Sequence, residues 1–141
     1  MAVGEAILFF DRKLAEDFDY RCKQAGQLAS KMRFLAAPWD RTDRERAWLR
    51  NAAHANACAQ YFADQLATIP GIQIASRVEA NAVFVTASDK VLNGLRQRGW
   101  KFYTFIGGAA RFMFSWDKSH ERIDEVCRDL RRCATNQADQ S

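Results

Sequence analysis

Arg111 is a residue whose type and position suggest chemistry. It begins a predicted strand, 111–116, directly after the glycine pair 107–108, where little side-chain bulk would obstruct a ligand. Because side chains alternate along a strand, Arg111 shares a face with Met113 and Ser115, and the aromatic residues of the strand share the opposite, core-facing side. A guanidinium fixed there offers a planar fork for a carboxylate. The alternative is an edge-strand arginine that is exposed to water or paired with an acid.

A second group of cations lies around a break in a helical pattern. Lys23, Lys31 and Arg33 flank or follow Gly26, which interrupts the apolar periodicity between two predicted helices. A helix N-terminus with small residues and converging cations suits an anion such as phosphate. The alternative is a solvated basic helix face. The residues alone leave both interpretations open.

Other residue types that often carry chemistry lack the spacing that the chemistry requires. His54 is predicted mid-helix beside an alanine stripe, which favours a surface or interface histidine over a general base. Cys22, Cys58, Cys127 and Cys133 are spread without a CxxC pair. We therefore expect buried free thiols in a reducing compartment and no metal site. The sequence contains neither a Ser/His/Asp set nor a GxGxxG or P-loop motif.

The first half of the chain is predicted to be mainly helical. The apolar run 6–10 indicates a short strand covered on both faces, and Asp11 follows it as a candidate helix N-cap. Helical periodicity then continues to Pro38, which is expected to end the helix. The next helix, from about 43 to 69, carries one alanine-rich apolar stripe: Trp48, Ala52, Ala55, Ala59, Phe62, Leu66 and Ile69. Such a stripe provides a packing surface for another element.

The second half alternates predicted strands with helices. A helix capped by Ser88 closes at Gly99, and a last amphipathic helix is capped by Ser119. The predicted strands are 72–74, 82–85, 100–106 and 111–116. These elements predict an α/β fold, layered as in α+β proteins, with a short and mainly antiparallel sheet covered by helices.

Composition is that of one ordinary globular domain. The chain has 141 residues, of which 48% are hydrophobic and 27% charged. Its net charge is +4 and its pI about 9.0, but acids are mixed with bases nearly everywhere. A basic stripe with exposed aromatics is absent from the pattern, so we expect no nucleic-acid partner. The run 6–10 is too short for a signal or membrane span, and we expect a cytoplasmic protein without a membrane partner.

The residues also resemble a known family. The chain is similar to the C-terminal part of low-specificity L-threonine aldolases, which are pyridoxal-phosphate enzymes of fold type I. The matching stretches keep the family's order and span nearly the whole chain: Gly4–Phe10, Tyr20–Trp39, Trp48–Asn56, Val78–Val85, Gly99–Ile106 and Ala110–Asp117. Residues 40–47 depart from the family by being highly charged.

The resemblance implies an activity and three site residues. The family cleaves L-threonine or L-allo-threonine to glycine and acetaldehyde, and the pyridoxal-phosphate ring takes up electrons as the Cα–Cβ bond breaks. Arg111 would bind the substrate carboxylate. Lys23 would lie close to the active site, and Arg33 would help to hold the cofactor phosphate. The family forms homo-oligomers, dimers or tetramers, with active sites between subunits.

The resemblance also implies domain limits. Residues 1–10 would be a strand remnant of the large cofactor-binding domain, 11–70 connecting helices, 71–135 the C-terminal α/β small domain, and 136–141 a frayed tail. The family's Schiff-base lysine directly precedes the residues that match Met1–Glu5. We therefore expect no catalytic lysine, no covalent cofactor and no activity from this chain alone. The alternative is a non-catalytic binding or assembly module that pairs with a full-length aldolase.

Overall fold

Two compact units make up the chain, and they divide at Trp48 and Leu49. The computed structural model describes residues 7–105 and 107–138. The first unit contains a 3-10 turn, Arg12–Ala15, followed by helices α1, Phe18–Gln24, and α2, Arg33–Arg44. Helix α3, Ala47–Leu66, begins at the end of this unit and continues through the second.

The first unit has no buried side chain among those described between residues 7 and 48. Asp11 caps the 3-10 turn, because its carboxylate accepts the Lys13 N–H at 2.9 Å, as expected for an N-cap. The rings of Phe9 and Phe18 meet edge to face at 4.9 Å. With so few apolar contacts, this unit is stabilised mainly by local interactions.

Two predictions for the first unit are wrong. Residues 7–9 lie in neither helix nor strand, although a strand was predicted over 6–10; residue 6 lies outside the described residues. A strand needs a partner for its backbone groups, and the described residues supply none here. Pro38 does not end its helix but lies inside α2. Proline removes a single intrahelical hydrogen bond, and the remaining turns of α2 continue past it.

The second unit is a four-stranded sheet with helices on one face. Its strands are β1, Gln73–Ile74; β2, Ala82–Thr86; β3, Tyr103–Thr104; and β4, Ala110–Met113, and its other helices are α4, Asp89–Gln97, and α5, His120–Ala138. The sheet order is β1-β2-β4-β3, and every neighbouring pair is antiparallel. Strands β2 and β3 therefore run in the same direction on either side of β4, and α4 connects them. The α/β fold with a short antiparallel sheet is confirmed.

The predicted N-caps of helices α4 and α5 are confirmed. Ser88 caps α4 by accepting the Val91 N–H at 3.4 Å, and Gly99 follows the helix with a φ of +90°. Ser119 likewise precedes α5 and accepts the Arg122 N–H. The tail predicted as frayed from residue 136 is helical as far as Ala138, and residues 139–141 lie outside the described residues.

The core lies between the inner face of the sheet and the three helices. Phe62 of α3 is completely buried, with ring centroids 5.1 Å from Phe112 and 5.3 Å from Phe114. These contacts confirm the aromatic core face predicted for β4, with one exception. Trp116 is 66% exposed, because β4 ends at Met113 and the chain leaves the sheet before reaching it.

Helices α4 and α5 approach closely at a glycine. A Cβ placed on Gly94 would lie 3.0 Å from the Sγ of Cys133, closer than side chains normally pack. The glycine therefore lets the two helices meet over the sheet. Within the described residues, no helix is both long enough and apolar enough to cross a bilayer.

Candidate functional site

Arg111 lies on an interior strand of the sheet. Its Cα partners are Phe84 on β2 and Tyr103 on β3, and residues directly opposite each other in a sheet share a face. These three residues and Met113 define the outer face, opposite the helix-covered core. The edge-strand alternative for Arg111 is therefore wrong, since β4 has a partner strand on each side.

The guanidinium of Arg111 is held by an aromatic ring. Its Cζ lies 4.8 Å from the ring centroid of Phe105, and the Phe105 ring meets the Phe84 ring edge to face at 5.9 Å. A cation over an aromatic face gains about 0.5–1 kcal/mol at an exposed site and more when desolvated. The two rings therefore fix the orientation of the guanidinium above the outer face.

Arg111 lacks an acidic partner within the described part of the chain. Its Nε is buried and makes no hydrogen bond there, and no carboxylate of the described residues forms an ion pair with it. A buried donor left unsatisfied costs about 1–3 kcal/mol, so it needs a partner. The outer face is open beside it, since Tyr103 is 73% and Met113 49% exposed. An incoming carboxylate can approach the terminal nitrogens of this guanidinium from the outer face.

Lys23 and Arg33 belong to the first unit. Lys23 is the penultimate residue of α1 and Arg33 the first residue of α2, and both side chains are exposed. The Arg33 guanidinium lies 5.1 Å from the ring centroid of its neighbour Phe34. Among the described residues, neither cation pairs with a carboxylate. The segment between them turns at Gly26 and Lys31, which both have φ values near +60 to +70°.

Comparison with known proteins gives a match over most of the chain. A low specificity L-threonine aldolase of Pseudomonas sp. (strain NCIMB 10558) is 63% identical over 132 residues, which is 93% of this chain. The enzyme of the same description from Pseudomonas aeruginosa is also 63% identical over 132 residues. The chain is similar in sequence to the low specificity L-threonine aldolases. It spans 38% of the length of these two relatives. No protein-family model matches the chain.

Strand position and the aldolase resemblance both pointed to Arg111, but neither pointed to its aromatic neighbours. Phe84, Tyr103 and Phe105 surround it because β2 and β3 flank β4. A sequence signal for their segments was present, since 82–85 and 100–106 were predicted as strands. That signal does not give the order of the strands in the sheet, and the strand order decides that these three side chains share the face of Arg111.

His54 of the aldolase-like chain is a surface residue tied to a backbone group. Its Nε2 lies 2.7 Å from the carbonyl oxygen of Lys118, so this nitrogen carries the proton and donates. Cys58, one turn later, has its Sγ 3.5 Å from this Nε2 and 3.6 Å from the same carbonyl oxygen. Burial raises the pKa of its thiol, and the Nε2 proton already donates to the carbonyl. The pair therefore links α3 to the start of α5 and is not an imidazole-activated thiolate. Within the described residues, no cluster of His, Cys, Asp and Glu side chains could hold a metal ion.

The four thiols are expected to differ strongly in reactivity. Cys58, Cys127 and Cys133 are buried, whereas Cys22 on α1 is partly exposed, and all four are free. Burial raises the pKa of Cys127 to about 11. Because the thiolate is the reactive form, iodoacetamide at pH 8 should alkylate Cys22 first and Cys127 only on unfolding. Peptide mass spectrometry against time measures the order, and early labelling of Cys127 in folded protein would contradict it.

Asp117, just before α5, is expected to titrate at unusually low pH. Hydrogen bonds from the Lys118 ammonium, at 2.8 Å, and from the Ser115 hydroxyl lower the pKa of its carboxyl from 3.8 to about 2. The folded-state pKa is depressed, so the stabilisation is present above about pH 4 and is lost as the pH falls towards 2. The carboxyl carbon resonance, assigned by comparison with Asp117→Asn, should have its midpoint near 2. A midpoint near 3.8 would show that these bonds do not form in solution.

Proposed function

We propose that this chain forms the substrate-carboxylate-binding part of a pyridoxal-phosphate-dependent threonine aldolase. The reaction is the cleavage of L-threonine or L-allo-threonine to glycine and acetaldehyde. The observation that carries the proposal is the Arg111 guanidinium, oriented by Phe105, with a buried Nε that no described residue satisfies. The 63% identity to low specificity L-threonine aldolases supports it, since those relatives bear the activity in their name.

Each side chain has a role in this proposal that its chemistry fits. Arg111 binds the substrate carboxylate through its planar fork, and Phe105 holds that fork in one orientation. Arg33, exposed at the first turn of the 12-residue helix α2 and without a carboxylate partner among the described residues, fits a phosphate group. Lys23 would contribute positive charge close to the site. Pyridoxal phosphate, when bound, supplies the electron sink for breaking the Cα–Cβ bond.

We further propose that these 141 residues do not cleave threonine by themselves. A lysine that forms an imine with a cofactor is activated by desolvation or by a neighbouring cation. Five of the lysines in this sequence are exposed, and the sixth, Lys118, is half-buried and paired with Asp117. The arrangement therefore offers a carboxylate site without a matching lysine. The free cysteines support a reducing, cytoplasmic compartment for the protein.

A chimera tests the proposed function. The 132 matched residues of this chain replace the matching stretch of the Pseudomonas aeruginosa relative. The chimera, loaded with pyridoxal phosphate, should release acetaldehyde from L-threonine, measured by coupled oxidation of NADH. The 141-residue chain assayed in parallel should release none above a protein-free control. A folded chimera without activity, or a chain active by itself, would contradict the respective proposal.

The exposed apolar surface of the first unit favours a second candidate function, which is assembly. Phe10 is 93% exposed and Leu8 76%, and no described side chain of residues 7–48 is buried. Many exposed apolar side chains on one segment are typical of interaction sites. We propose that residues 7–48 pack against another subunit, in a homo-oligomer (dimer or tetramer) or with a full-length aldolase. Light scattering coupled to gel filtration, with and without the Pseudomonas relative, tests this, and a strictly monomeric chain in both runs would contradict it.

A further inference from the structure

A cavity opens where strands β3 and β4 separate. The ladder between them pairs Tyr103 with Arg111 and Thr104 with Ala110. In the same register Lys101 would lie opposite Met113, but β3 begins only at Tyr103. Residues before Tyr103 lie outside the ladder, and a space of about 320 Å³ lies between residues 99–101, the end of β4 and the first turns of α5. This volume is at the lower end of small-molecule sites.

The backbone of Met113 faces this cavity. In an antiparallel sheet, alternate residues of a strand hydrogen-bond to the neighbour on one side and then to the neighbour on the other. Phe114 bonds towards β2, because its N–H donates to the Asn81 carbonyl at 2.8 Å. The N–H of Met113 therefore points to the other side, where the β3 ladder has already ended. A donor is thus available to a ligand in the cavity.

Three cations line the cavity, and no Asp or Glu is among its lining residues. Lys101 is exposed and forms no ion pair within the described residues. Lys118 pairs with Asp117 at 2.8 Å and Arg122 with Glu125, but both carboxylates lie outside the lining. Like charges converging on one space repel each other unless an anion lies between them.

The rest of the lining is apolar and partly aromatic. These apolar lining residues are Trp100, Phe112, Met113, Phe114, Ile123 and Val126. The Arg122 guanidinium lies 4.1 Å from the ring centroid of Trp100, and the Trp100 Nε1 donates to Asp129 at 2.9 Å. These contacts hold ring and cation in place. The site is therefore shaped for a ligand with an apolar body and one negative end.

We propose that this cavity binds a small organic anion with an aromatic body, its carboxylate or phosphate held by Lys101, Arg122 and the Met113 N–H. Arg111 does not line the cavity, so the site is separate from the proposed substrate-carboxylate site. The proposed anion binding does not depend on the proposed aldolase function, because it involves no cleavage step.

NMR titration of the ¹⁵N-labelled chain tests the proposal. The probes are phenylacetate, phenyl phosphate, the neutral benzyl alcohol and the cationic benzylamine. Phenylacetate or phenyl phosphate should shift the amides of Lys101, Met113 and Arg122, and the stronger of the two identifies the preferred anion. The neutral and cationic probes should bind at least about five-fold more weakly, since charge-assisted hydrogen bonds are lost. Equal affinity for benzyl alcohol would overturn the proposal.

A matched pair of lysine variants separates specific binding from general charge. Lys101→Gln should raise the Kd of the preferred anion about three- to five-fold, as expected for one exposed charge. Lys13→Gln, which removes an exposed lysine from the first unit, should leave the Kd unchanged. A Lys101→Gln spectrum that retains the folded shift dispersion, with a Kd equal to the parent's, would overturn the assignment. So would amide shifts that map to Arg111 instead of the cavity.

Discussion

Replacing Arg111 with alanine in the aldolase chimera is expected to lower kcat/KM for L-threonine by about 30-fold or more, because truncating one partner of a desolvated charge pair costs about 2–5 kcal/mol. The guanidinium lies above the Phe105 ring, and its Nε has no hydrogen-bond partner among the described residues. Its loss leaves the substrate carboxylate without its fork.

The division of this loss between KM and kcat distinguishes binding from chemistry. A carboxylate held equally in the bound substrate and in the transition state contributes uniform binding, so its loss raises KM. We expect most of the effect of Arg111→Ala in KM, with a smaller fall in kcat from misplacement of the Cα–Cβ bond. Steady-state acetaldehyde release over a range of L-threonine concentrations measures both constants.

Two arginine variants serve as controls. Arg111→Lys keeps the charge but loses the fork, so it should recover part of the KM and not all of it. Arg77→Ala removes an arginine whose side chain is 87% exposed and should change neither constant. An Arg111→Ala chimera with the parent KM would remove the observation on which the proposed function rests.

Sequence signals located the elements whose ends are set by local chemistry. Ser88 predicted the start of α4 because a hydroxyl at that position accepts the third following N–H, and the structure has this bond. The apolar, β-branched composition of 82–85 predicted β2, whose Val83 and Val85 are completely buried. These features depend on residues within one or two turns of each other. The sequence therefore contains what is needed to predict them.

Features that depend on distant residues were missed. The run 6–10 is apolar enough for a strand, but strand formation is decided by a partner that lies elsewhere in a chain. The same reason explains the surroundings of Arg111. Alternation along the strand could predict the sheet face on which Arg111 lies. Phe84, Tyr103 and Phe105 become its neighbours only because β4 lies between β2 and β3.

The cavity beside Met113 was missed for a related reason. Residues 100–106 have the composition of a single strand, and of the described residues among them only Tyr103–Thr104 pair with β4. Propensity predicts that a segment suits a strand but not where its ladder stops. Beyond the point at which the ladder stops lies the cavity lined by Met113, Lys101 and Arg122.

The largest stability effect is expected for Phe62→Ala. Phe62 is completely buried on α3 and its ring contacts those of Phe112 and Phe114, so truncation leaves a cavity at the centre of the second unit. Such changes cost about 3–5 kcal/mol, a large part of the roughly 5–15 kcal/mol by which domains are stable. Urea unfolding followed by circular dichroism should show a much lower midpoint with an unchanged slope.

Trp116→Ala is the informative comparison, because sequence alternation and the structure predict opposite results for it. By alternation Trp116 shares the core face of β4, and its loss would then cost as much as that of Phe62. In the structure the strand has ended before it and the ring is 66% exposed, so the cost should stay within about 0.5 kcal/mol. Phe62→Leu should lie between the two, since most of the buried volume remains. A loss of several kcal/mol in Trp116→Ala would mean that β4 continues past Met113 and that its inner face extends beyond the core described.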